Sequence, residues 1–200
     1  MKTKTALITG VSDGIGAAFA RLLIDKGWYV IGISRNKEKL KIFQKKLNTK
    51  INMFIGYQCD VQDLDKLKLI AKENNSPSLL FLNAGIYKPI DSSNENIDVY
   101  REHLNINFLG VINCYESFLP KMMLNGNGKI LIMSSIAGWI GLPKSAAYGP
   151  TKAALRSFAQ SIRYDLFSKG ISVQICSPGF VDTSATSIND FYMPGLLKVD

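Results

Sequence analysis

The chain has 200 residues, of which 46% are hydrophobic and 20% are charged, a composition typical of one globular domain with a buried core. No apolar run approaches the roughly 20 residues that span a bilayer, and the segment Met1–Thr5 leads directly into a predicted strand. We therefore expect no membrane partner, no signal peptide and a cytoplasmic location. Cys59, Cys114 and Cys176 lack the spacing of metal ligands, which predicts reduced thiols and no bound metal.

The formal net charge of +8 is compatible with a nucleic-acid partner. The lysines, however, cluster over residues 37–50 with the spacing of a solvated helix face. Because net charge informs about solubility and long-range steering rather than about fold, we expect no nucleic-acid partner.

Apolar runs and apolar residues at helical spacing alternate along the chain. In chain order they predict a strand over 5–9, a helix over 15–26, a strand over 28–34, a helix over 37–47, a strand over 51–59, a helix over 63–74, a strand over 78–82, a helix over 97–124, a strand over 129–133, a loop over 136–147, a helix over 150–168 and a strand over 171–176. This alternation predicts an α/β fold in one domain over 1–200: a doubly wound parallel sheet in three layers, α/β/α. Ligands of such sheets bind beyond the carboxyl ends of the strands.

A glycine-rich turn, residues 9–16, follows the first predicted strand and opens the first predicted helix, with the spacing Gly-x3-Gly-x-Gly. Glycines let the backbone approach a pyrophosphate, and the helix offers unpaired N–H groups and the positive end of its dipole. We predict that this turn binds a dinucleotide; a glycine turn without a ligand is the alternative. The candidate contacts are Thr9, Gly10, Ser12, Asp13, Gly14, Ile15 and Gly16.

The residues after the second strand, Ser34, Arg35 and Asn36, bear on the choice between NAD and NADP. A carboxylate at this position bonds the ribose 2′-hydroxyl of NAD, whereas a basic residue accommodates a 2′-phosphate. No carboxylate is present, and Arg35 can make a bidentate contact to phosphate. We predict Ser34 and Arg35 as cofactor contacts and NADP(H) as the preferred cofactor over NAD(H); a surface arginine is the alternative.

Tyr148 and Lys152 are four residues apart, so at helical spacing they share a face. Pro150 is tolerated only in the first turn of a helix, which places Tyr148 at or just before the helix start. The positive helix end and Lys152 both favour a phenolate, and we expect them to lower the pKa of Tyr148 from its usual value near 10. Such a phenol can donate a proton to a carbonyl oxygen or accept one from an alcohol.

Two further polar residues are candidates for the same site. Ser135 closes the fifth strand, and its hydroxyl can bond a substrate oxygen. Asn107 lies among apolar residues of the long predicted helix, where it needs a partner or a water, and it can hold a water that links Lys152 to solvent. Each residue alone fits an ordinary structural role; their combination, in order and at strand ends, predicts a catalytic site.

Together these motifs resemble those of the short-chain dehydrogenase/reductase family, with a Rossmann-type sheet. The loop over 9–16 is similar to its nucleotide-binding loop, and Asn107, Ser135, Tyr148 and Lys152 match its catalytic tetrad one for one. Three other turns resemble its cofactor contacts: Asp60 and Val61, then Asn83, Ala84 and Gly85, then Pro178 and Gly179 with Val181 and Thr183 in the segment that follows.

The resemblance implies an oxidoreductase that moves a hydride between NADP(H) and a carbonyl or alcohol. It implies that Tyr148 is the general acid/base and that Lys152 lowers its pKa and bonds the nicotinamide ribose. Ser135 would orient the substrate oxygen, and Asn107 would support a proton relay. Asp13 departs from the pattern, since NADP-using relatives often carry a basic residue there. Relatives are also usually longer, so we expect the last helix and strand of the sheet to be absent and residues 183–200 to begin a mobile substrate-covering segment.

The substrate is expected to be a small carbonyl or alcohol compound that is partly apolar. The predicted lining, beside Ser135, is Ile86, Tyr87, Ile136, Trp139, Leu142 and Phe180; core packing is the alternative. As in relatives, the helices over 97–124 and 150–168 would pair between subunits, which predicts a homodimer or homotetramer. An NADP(H)-binding regulatory module without turnover is the alternative function, and a structural protein that keeps only the fold is another.

Overall fold

The computed structural model describes residues 4–93, 96–189 and 192–199. The strands are β1 (Thr5–Thr9), β2 (Tyr29–Ser34), β3 (Phe54–Gln58), β4 (Leu79–Leu82), β5 (Gly128–Met133) and β6 (Ile171–Cys176). The helices are α1 (Gly14–Asp25), α2 (Lys37–Leu47), α3 (Leu64–Glu73), α4 (Ile97–His103), α5 (Gly110–Asn125) and α6 (Gly149–Phe167).

The six strands form one parallel sheet in the order β3-β2-β1-β4-β5-β6. From β1 the chain builds outward to β3, then crosses back to β4 and builds outward to β6. The strand order therefore reverses between β1 and β4, which is where open α/β sheets bind their ligands. The predicted doubly wound parallel sheet is confirmed.

Helices cover both faces of this sheet, and each face has its own apolar core. On one face α1 and α2 pack on the sheet, with Phe43 buried in the same cluster as Ile8 of β1. On the other face lie α3, α5 and α6, where Phe118 and Leu155 share a cluster with Leu7. Residues 7 and 8 enter different cores because side chains alternate across a strand. This gives the three layers that the sequence predicts.

The predicted strand over 51–59 begins three residues too early. Residues Asn48–Met53 form a short 3-10 helix, and β3 begins at Phe54. Asn48 adopts a positive φ of 49°, which ends α2 and redirects the chain. The side chain of Ile51 is 44% exposed, so its apolar character does not mark a buried strand position.

The predicted helix over 97–124 is one run with a π-helical segment, Leu104–Leu109, between α4 and α5. In this segment the N–H of Gly110 donates to the carbonyl of Asn105, five residues earlier. Gly110 also lets the helix lie close to the loop after β3, because a Cβ there would be 2.5 Å from Cγ2 of Val61. Widened turns of this kind occur often at functional sites.

Strand β6 lies at the edge of the sheet and has no outer neighbour in the described part of the chain. Ser172 and Gln174 are exposed along it. Beyond β6, Val181 and Leu197 form an isolated parallel bridge, so the chain returns to the segment that follows the last strand. Among the described helices, none combines the length and apolarity required to cross a bilayer.

Candidate active site

The glycine-rich turn after β1 has the backbone conformation that its glycines permit. Gly10 and Gly14 take positive φ angles of 69° and 50°, a region that residues with a Cβ rarely adopt. Asp13 caps α1, since its Oδ1 accepts a hydrogen bond from the Gly14 N–H at 2.8 Å. The first turn of α1 therefore faces the space beyond the carboxyl end of β1.

Thr9 and Gly16, both predicted as cofactor contacts, lie behind this turn and do not line the cavity described below. Thr9 is buried, and its Oγ1 accepts from the N–H groups of Asn83 and Ala84 at 3.0 and 2.9 Å, which ties β1 to the turn after β4. A Cβ at Gly16 would lie 2.3 Å from the Gly10 carbonyl oxygen. Both residues shape the loop, on which α1 packs directly.

A cavity of about 420 Å³ opens at the switch point between β1 and β4, within the size range of small-molecule and cofactor sites. Most of the predicted site residues line it, from the glycine turn to the segment after β6. They are Gly10, Ser12, Asp13, Gly14, Ile15, Ser34, Arg35, Asp60, Val61, Asn83, Ala84, Gly85, Ile86, Ser135, Tyr148, Lys152, Pro178, Gly179, Phe180, Val181 and Thr183.

One end of the cavity is rich in hydroxyl groups and cations. The Oγ atoms of Ser12 and Ser34 lie 2.7 Å apart, and Arg35 is exposed beside them. Asp13 does not stand there as an isolated charge, because Lys39 and the hydroxyl of Ser184 both donate to its Oδ2. Partial burial raises the pKa of Asp13, but these hydrogen bonds, the charge of Lys39 and the bond from the Gly14 N–H outweigh it and hold the pKa below its usual value.

The opposite end of the cavity brings Ser135, Tyr148 and Lys152 together, as predicted. Tyr148 immediately precedes α6, which begins at Gly149, and its hydroxyl is hydrogen-bonded to the side chain of Ser135. Lys152 is buried one turn later; its Nζ donates to the Met133 carbonyl at 2.9 Å and lies 5.5 Å from the centre of the Tyr148 ring.

The expectation that Lys152 and the helix end lower the pKa of Tyr148 is wrong for the site as it stands. Burial raises the pKa of Tyr148 to about 12, although the hydrogen bond with Ser135 acts in the opposite direction. Burial likewise lowers the pKa of Lys152 to about 8. Loss of solvation disfavours both charged forms, the phenolate of Tyr148 and the ammonium of Lys152. The phenol is therefore held protonated at neutral pH.

Asn107 lies in the π-helical segment, fully buried, and it binds backbone rather than lining the cavity. Its Oδ1 accepts from the N–H of Ile86 at 2.7 Å, while its Nδ2 donates to the Ile86 carbonyl at 2.9 Å and to Oγ1 of Thr151 at 3.3 Å. Thr151 in turn donates to the carbonyl of Tyr148 at 2.7 Å. Asn107 thus connects the turn after β4 with the start of α6.

The predicted substrate side chains divide into two groups. Ile86, Tyr87, Ile136, Leu142 and Phe180 line the cavity together with Ser135. Trp139 does not line it, contrary to the prediction: its side chain is 60% exposed. The Arg156 guanidinium lies 3.3 Å from the centre of the indole ring and donates to the Gly138 carbonyl. This cation–π stack from α6 holds the indole on the surface.

A family model described as short chain dehydrogenase matches residues 4–190. The chain belongs to this family. It is thus a nucleotide-binding oxidoreductase of the Rossmann type, and the family recognised from the sequence motifs is confirmed.

Members from several bacteria are similar to the chain over most of its length. It is 32% identical to the 3-oxoacyl-(acyl-carrier-protein) reductase FabG of Staphylococcus aureus strain Mu50, over 92% of this chain and 77% of the relative. The corresponding FabG of Buchnera aphidicola is 33% identical, over 100% of this chain and 83% of the relative. A short-chain dehydrogenase/reductase crystal structure from Burkholderia thailandensis superposes with a TM-score of 0.87 at 26% identity, covering 94% of this chain and 72% of that one.

The structure adds residues to the site that the sequence reasoning missed. Three residues that follow the predicted cofactor contacts of the segment after β6 also line the cavity: Ser184, Thr186 and Asn189. His103 contacts the turn after β4 and packs against Tyr148 with ring centres 6.4 Å apart. Its position four residues before Asn107 was the available signal, since residues at this spacing lie on one face of a helix.

Proposed function

We propose that this chain transfers a hydride between NADP(H) and the carbon of a carbonyl or alcohol substrate. The observation that carries the proposal is one continuous cavity. The glycine turn with Gly10 and Gly14 lines one part of it, and Ser135, Tyr148 and Lys152 line another. A dinucleotide bound along the carboxyl ends of β1 and β4 would bring its reactive ring to the Tyr148 hydroxyl.

The glycine turn fits the phosphates of such a cofactor. Its backbone approaches the cavity without a Cβ at Gly10 and Gly14, and α1 begins there with its N-terminal N–H groups. For the 2′-phosphate of NADP(H), Arg35 supplies an exposed guanidinium, and the hydroxyls of Ser12 and Ser34 supply donors. The Lys39 ammonium offsets the carboxylate of Asp13. These groups favour NADP(H) over NAD(H).

We assign the transfer of the proton in this reaction to the Tyr148 hydroxyl. When bound, the cofactor supplies the hydride for reduction and accepts it in oxidation. In reduction the Tyr148 hydroxyl donates its proton to the substrate oxygen, which becomes the alcohol hydroxyl, and in oxidation the phenolate takes that proton back. The raised pKa of Tyr148, about 12, keeps the donor form populated at neutral pH. Ser135 hydrogen-bonds the same oxygen and stabilises the charge that develops on it.

Lys152 and Asn107 support this proton transfer. With a pKa of about 8, Lys152 is mainly charged at pH 7. We assign it a bond to the nicotinamide ribose and electrostatic support of the phenolate that forms when Tyr148 gives up its proton. Asn107 binds the carbonyl and the N–H of Ile86, and it also binds Thr151 in the first turn of α6. It therefore fixes the turn after β4 relative to the start of α6, where Tyr148 lies.

The substrate is proposed to be a partly apolar ketone or the matching secondary alcohol. Ile86, Ile136, Leu142 and Phe180 give the catalytic end an apolar lining beside the hydroxyls of Ser135 and Tyr148. The FabG relatives are named as reductases of 3-oxoacyl groups, and a 3-oxoacyl thioester combines a reducible ketone with an apolar chain. This class is the first choice for substrate screening.

A homodimer or homotetramer remains our proposal for the assembly. The outward faces of α5 and α6 suit it, because Tyr164 and Phe167 of α6 are 81% and 82% exposed and Leu109, just before α5, is 49% exposed. Exposed large hydrophobic side chains of this kind are often buried in subunit contacts. Light scattering at micromolar concentration tests this assembly, and a monomer would contradict it.

The cofactor assignment is tested by titrating the protein with NADPH and NADH while following nicotinamide fluorescence. Arg35→Ala is expected to weaken NADPH binding by about tenfold or more, the value of charge-assisted hydrogen bonds to one phosphate, and to leave NADH unaffected. Lys37→Ala is the matched control, since Lys37 is an exposed cation of the same segment outside the cavity lining. Equal loss for both cofactors, or tighter binding of NADH by the wild type, would contradict the NADP(H) preference.

Turnover separates an enzyme from a module that only binds the cofactor. With NADPH bound, the wild type is screened against acetoacetyl-coenzyme A, diacetyl and para-nitrobenzaldehyde. Consumption of NADPH with any of them supports the enzyme. Tight NADPH binding without turnover of any carbonyl compound in a wider panel would favour the regulatory module.

A further inference from the structure

The extended segment after β4 is held by two side chains from the long helix. Asn107 binds both the N–H and the carbonyl of Ile86. Two residues further along, Nε2 of His103 accepts from the N–H of Lys88 at 3.1 Å. His103 and Asn107 are four positions apart, so they lie on the same helix face and bind alternate residues of the segment. Tyr87 lies between the two fixed points.

The hydrogen bonds of His103 define its tautomer and its charge. A carbonyl can only accept, so Nδ1, which lies 2.7 Å from the Val99 oxygen, carries the proton. The Lys88 N–H can only donate, so Nε2 must be the unprotonated acceptor. The ring is fully buried, and burial lowers its pKa, in agreement with a neutral imidazole. Both ring nitrogens are therefore occupied by backbone partners.

The residues that His103 positions contact the proposed proton donor. The ring of Tyr87 meets the Tyr148 ring edge-on with centres 5.2 Å apart, and the His103 ring meets it from another side at 6.4 Å. Tyr87 lines the cavity, whereas His103 does not. His103 therefore acts on the site through the segment that it holds and through the packing of the Tyr148 ring.

We propose that His103 is a positioning residue of the oxidoreductase reaction: its Nε2 fixes the Lys88 N–H and thereby holds Tyr87 and Tyr148 in the geometry for proton transfer. The proposal rests on the proposed function, since it assigns a role within the same site. A histidine that only stabilised the helix would need its Nδ1 bond to Val99, within α4, and not its Nε2 bond to Lys88.

Two substitutions separate these roles because each preserves the hydrogen bond of a different ring nitrogen. His103→Gln places its amide group near the position of Nε2, so its oxygen can still accept from Lys88. His103→Asn places its amide group near Nδ1, so it can still donate to Val99 but does not reach Lys88. Ser117→Ala is the matched control: Ser117 is buried in α5, and its hydroxyl donates to the Asn113 carbonyl, away from the cavity.

Steady-state kinetics use NADPH with the carbonyl compound that the wild type reduces fastest among acetoacetyl-coenzyme A, diacetyl and para-nitrobenzaldehyde. We expect kcat of His103→Asn to fall about tenfold or more, because a small misplacement of reacting groups has this cost, while the KM for NADPH stays unchanged. His103→Gln and Ser117→Ala are expected to stay within about twofold of the wild type. Equal kcat values for the Asn and Gln variants, whether high or low, would overturn the proposal.

A second measurement reports on the hydrogen bond between His103 and the Lys88 N–H itself. The sequence contains one histidine, so the ring nitrogen resonances of 15N-labelled protein belong to His103 without ambiguity. They should show the tautomer protonated at Nδ1, and the Lys88 amide should exchange slowly in the wild type and in His103→Gln but rapidly in His103→Asn. A Lys88 amide that exchanges equally in all three would also overturn the proposal. Failure of the proposed function shows differently, as a wild type that binds no NADPH or reduces no carbonyl compound.

Discussion

Helix α1 rests so closely on the glycine turn that one methyl group at Gly16 is expected to disrupt the cofactor site. The φ angle of Gly16 is ordinary for a helix, so alanine causes no backbone strain by itself. Its Cβ, however, would lie 2.3 Å from the Gly10 carbonyl oxygen and 2.6 Å from Nδ2 of Asn83. Real Cβ contacts essentially never fall below 3.0 Å, so the start of α1 must move away from the turn by at least 0.7 Å.

The expected cost of Gly16→Ala is that of an overpacked core, about 1–3 kcal/mol of the free energy of unfolding. For a chain of this size this lowers the melting temperature by roughly 2–4 °C per kcal/mol. NADPH affinity should fall by at least about tenfold, because the N–H groups at the start of α1 no longer face the phosphates. Calorimetry and the fluorescence titration measure the two effects.

Gly141→Ala is the control for this change, since a Cβ at Gly141 meets nothing within 4 Å. It should leave both the melting temperature and NADPH binding as in the wild type. A Gly16→Ala variant that melts like the wild type and binds NADPH equally well would show that the close contact between α1 and the turn does not exist in solution.

Three further predictions concern charge. Burial raises the pKa of Tyr148 to about 12, and alcohol oxidation needs the phenolate. The rate of oxidation should therefore rise with pH between about 6 and 9, whereas the rate of carbonyl reduction should not. An oxidation rate that is independent of pH would contradict this. Asp13→Ser keeps a helix cap but removes the carboxylate from the end of the cavity that holds Arg35, and it frees the Lys39 ammonium. In the fluorescence titration NADPH should therefore bind about threefold more tightly at low salt, with NADH binding unchanged. Burial holds the pKa of His103 below 6.5, so the unfolded chain binds the proton first as pH falls, and the folded state loses stability below about pH 6.5. Below this pH the melting temperature of the wild type should therefore fall by more than that of His103→Gln.

The parts of the fold and site that follow from local sequence were predictable. Apolar strands alternating with helices led to the doubly wound sheet, because each strand must be buried on both faces. The glycine turn after β1 and the Tyr148–Lys152 spacing led to one cavity, because the carboxyl ends of parallel strands meet at one edge. Pro150 correctly placed Tyr148 just before α6, since proline has no N–H to bond within a helix.

Features that depend on tertiary packing were not predictable in this way. No sequence signal predicted the π-helical segment, Leu104–Leu109; in the fold the helix packs at this point beside Val61 and the turn after β4. Trp139 was predicted to line the substrate pocket, but its indole stacks on Arg156 from α6 at the surface. The pKa of Tyr148 depends on how much solvent the folded site excludes, and burial outweighs the hydrogen bond from Ser135, which lowers this pKa.

Comparison of Tyr148→Phe with the wild type isolates the proton that Tyr148 is proposed to transfer. Phenylalanine keeps the ring that packs against Tyr87 and His103 and removes only the hydroxyl. We expect NADPH to bind within about threefold of the wild type, while reduction of the best carbonyl substrate, followed by loss of nicotinamide absorbance, falls by about a hundredfold or more. Full turnover by Tyr148→Phe would contradict the assignment of the proton to this residue and with it the proposed mechanism.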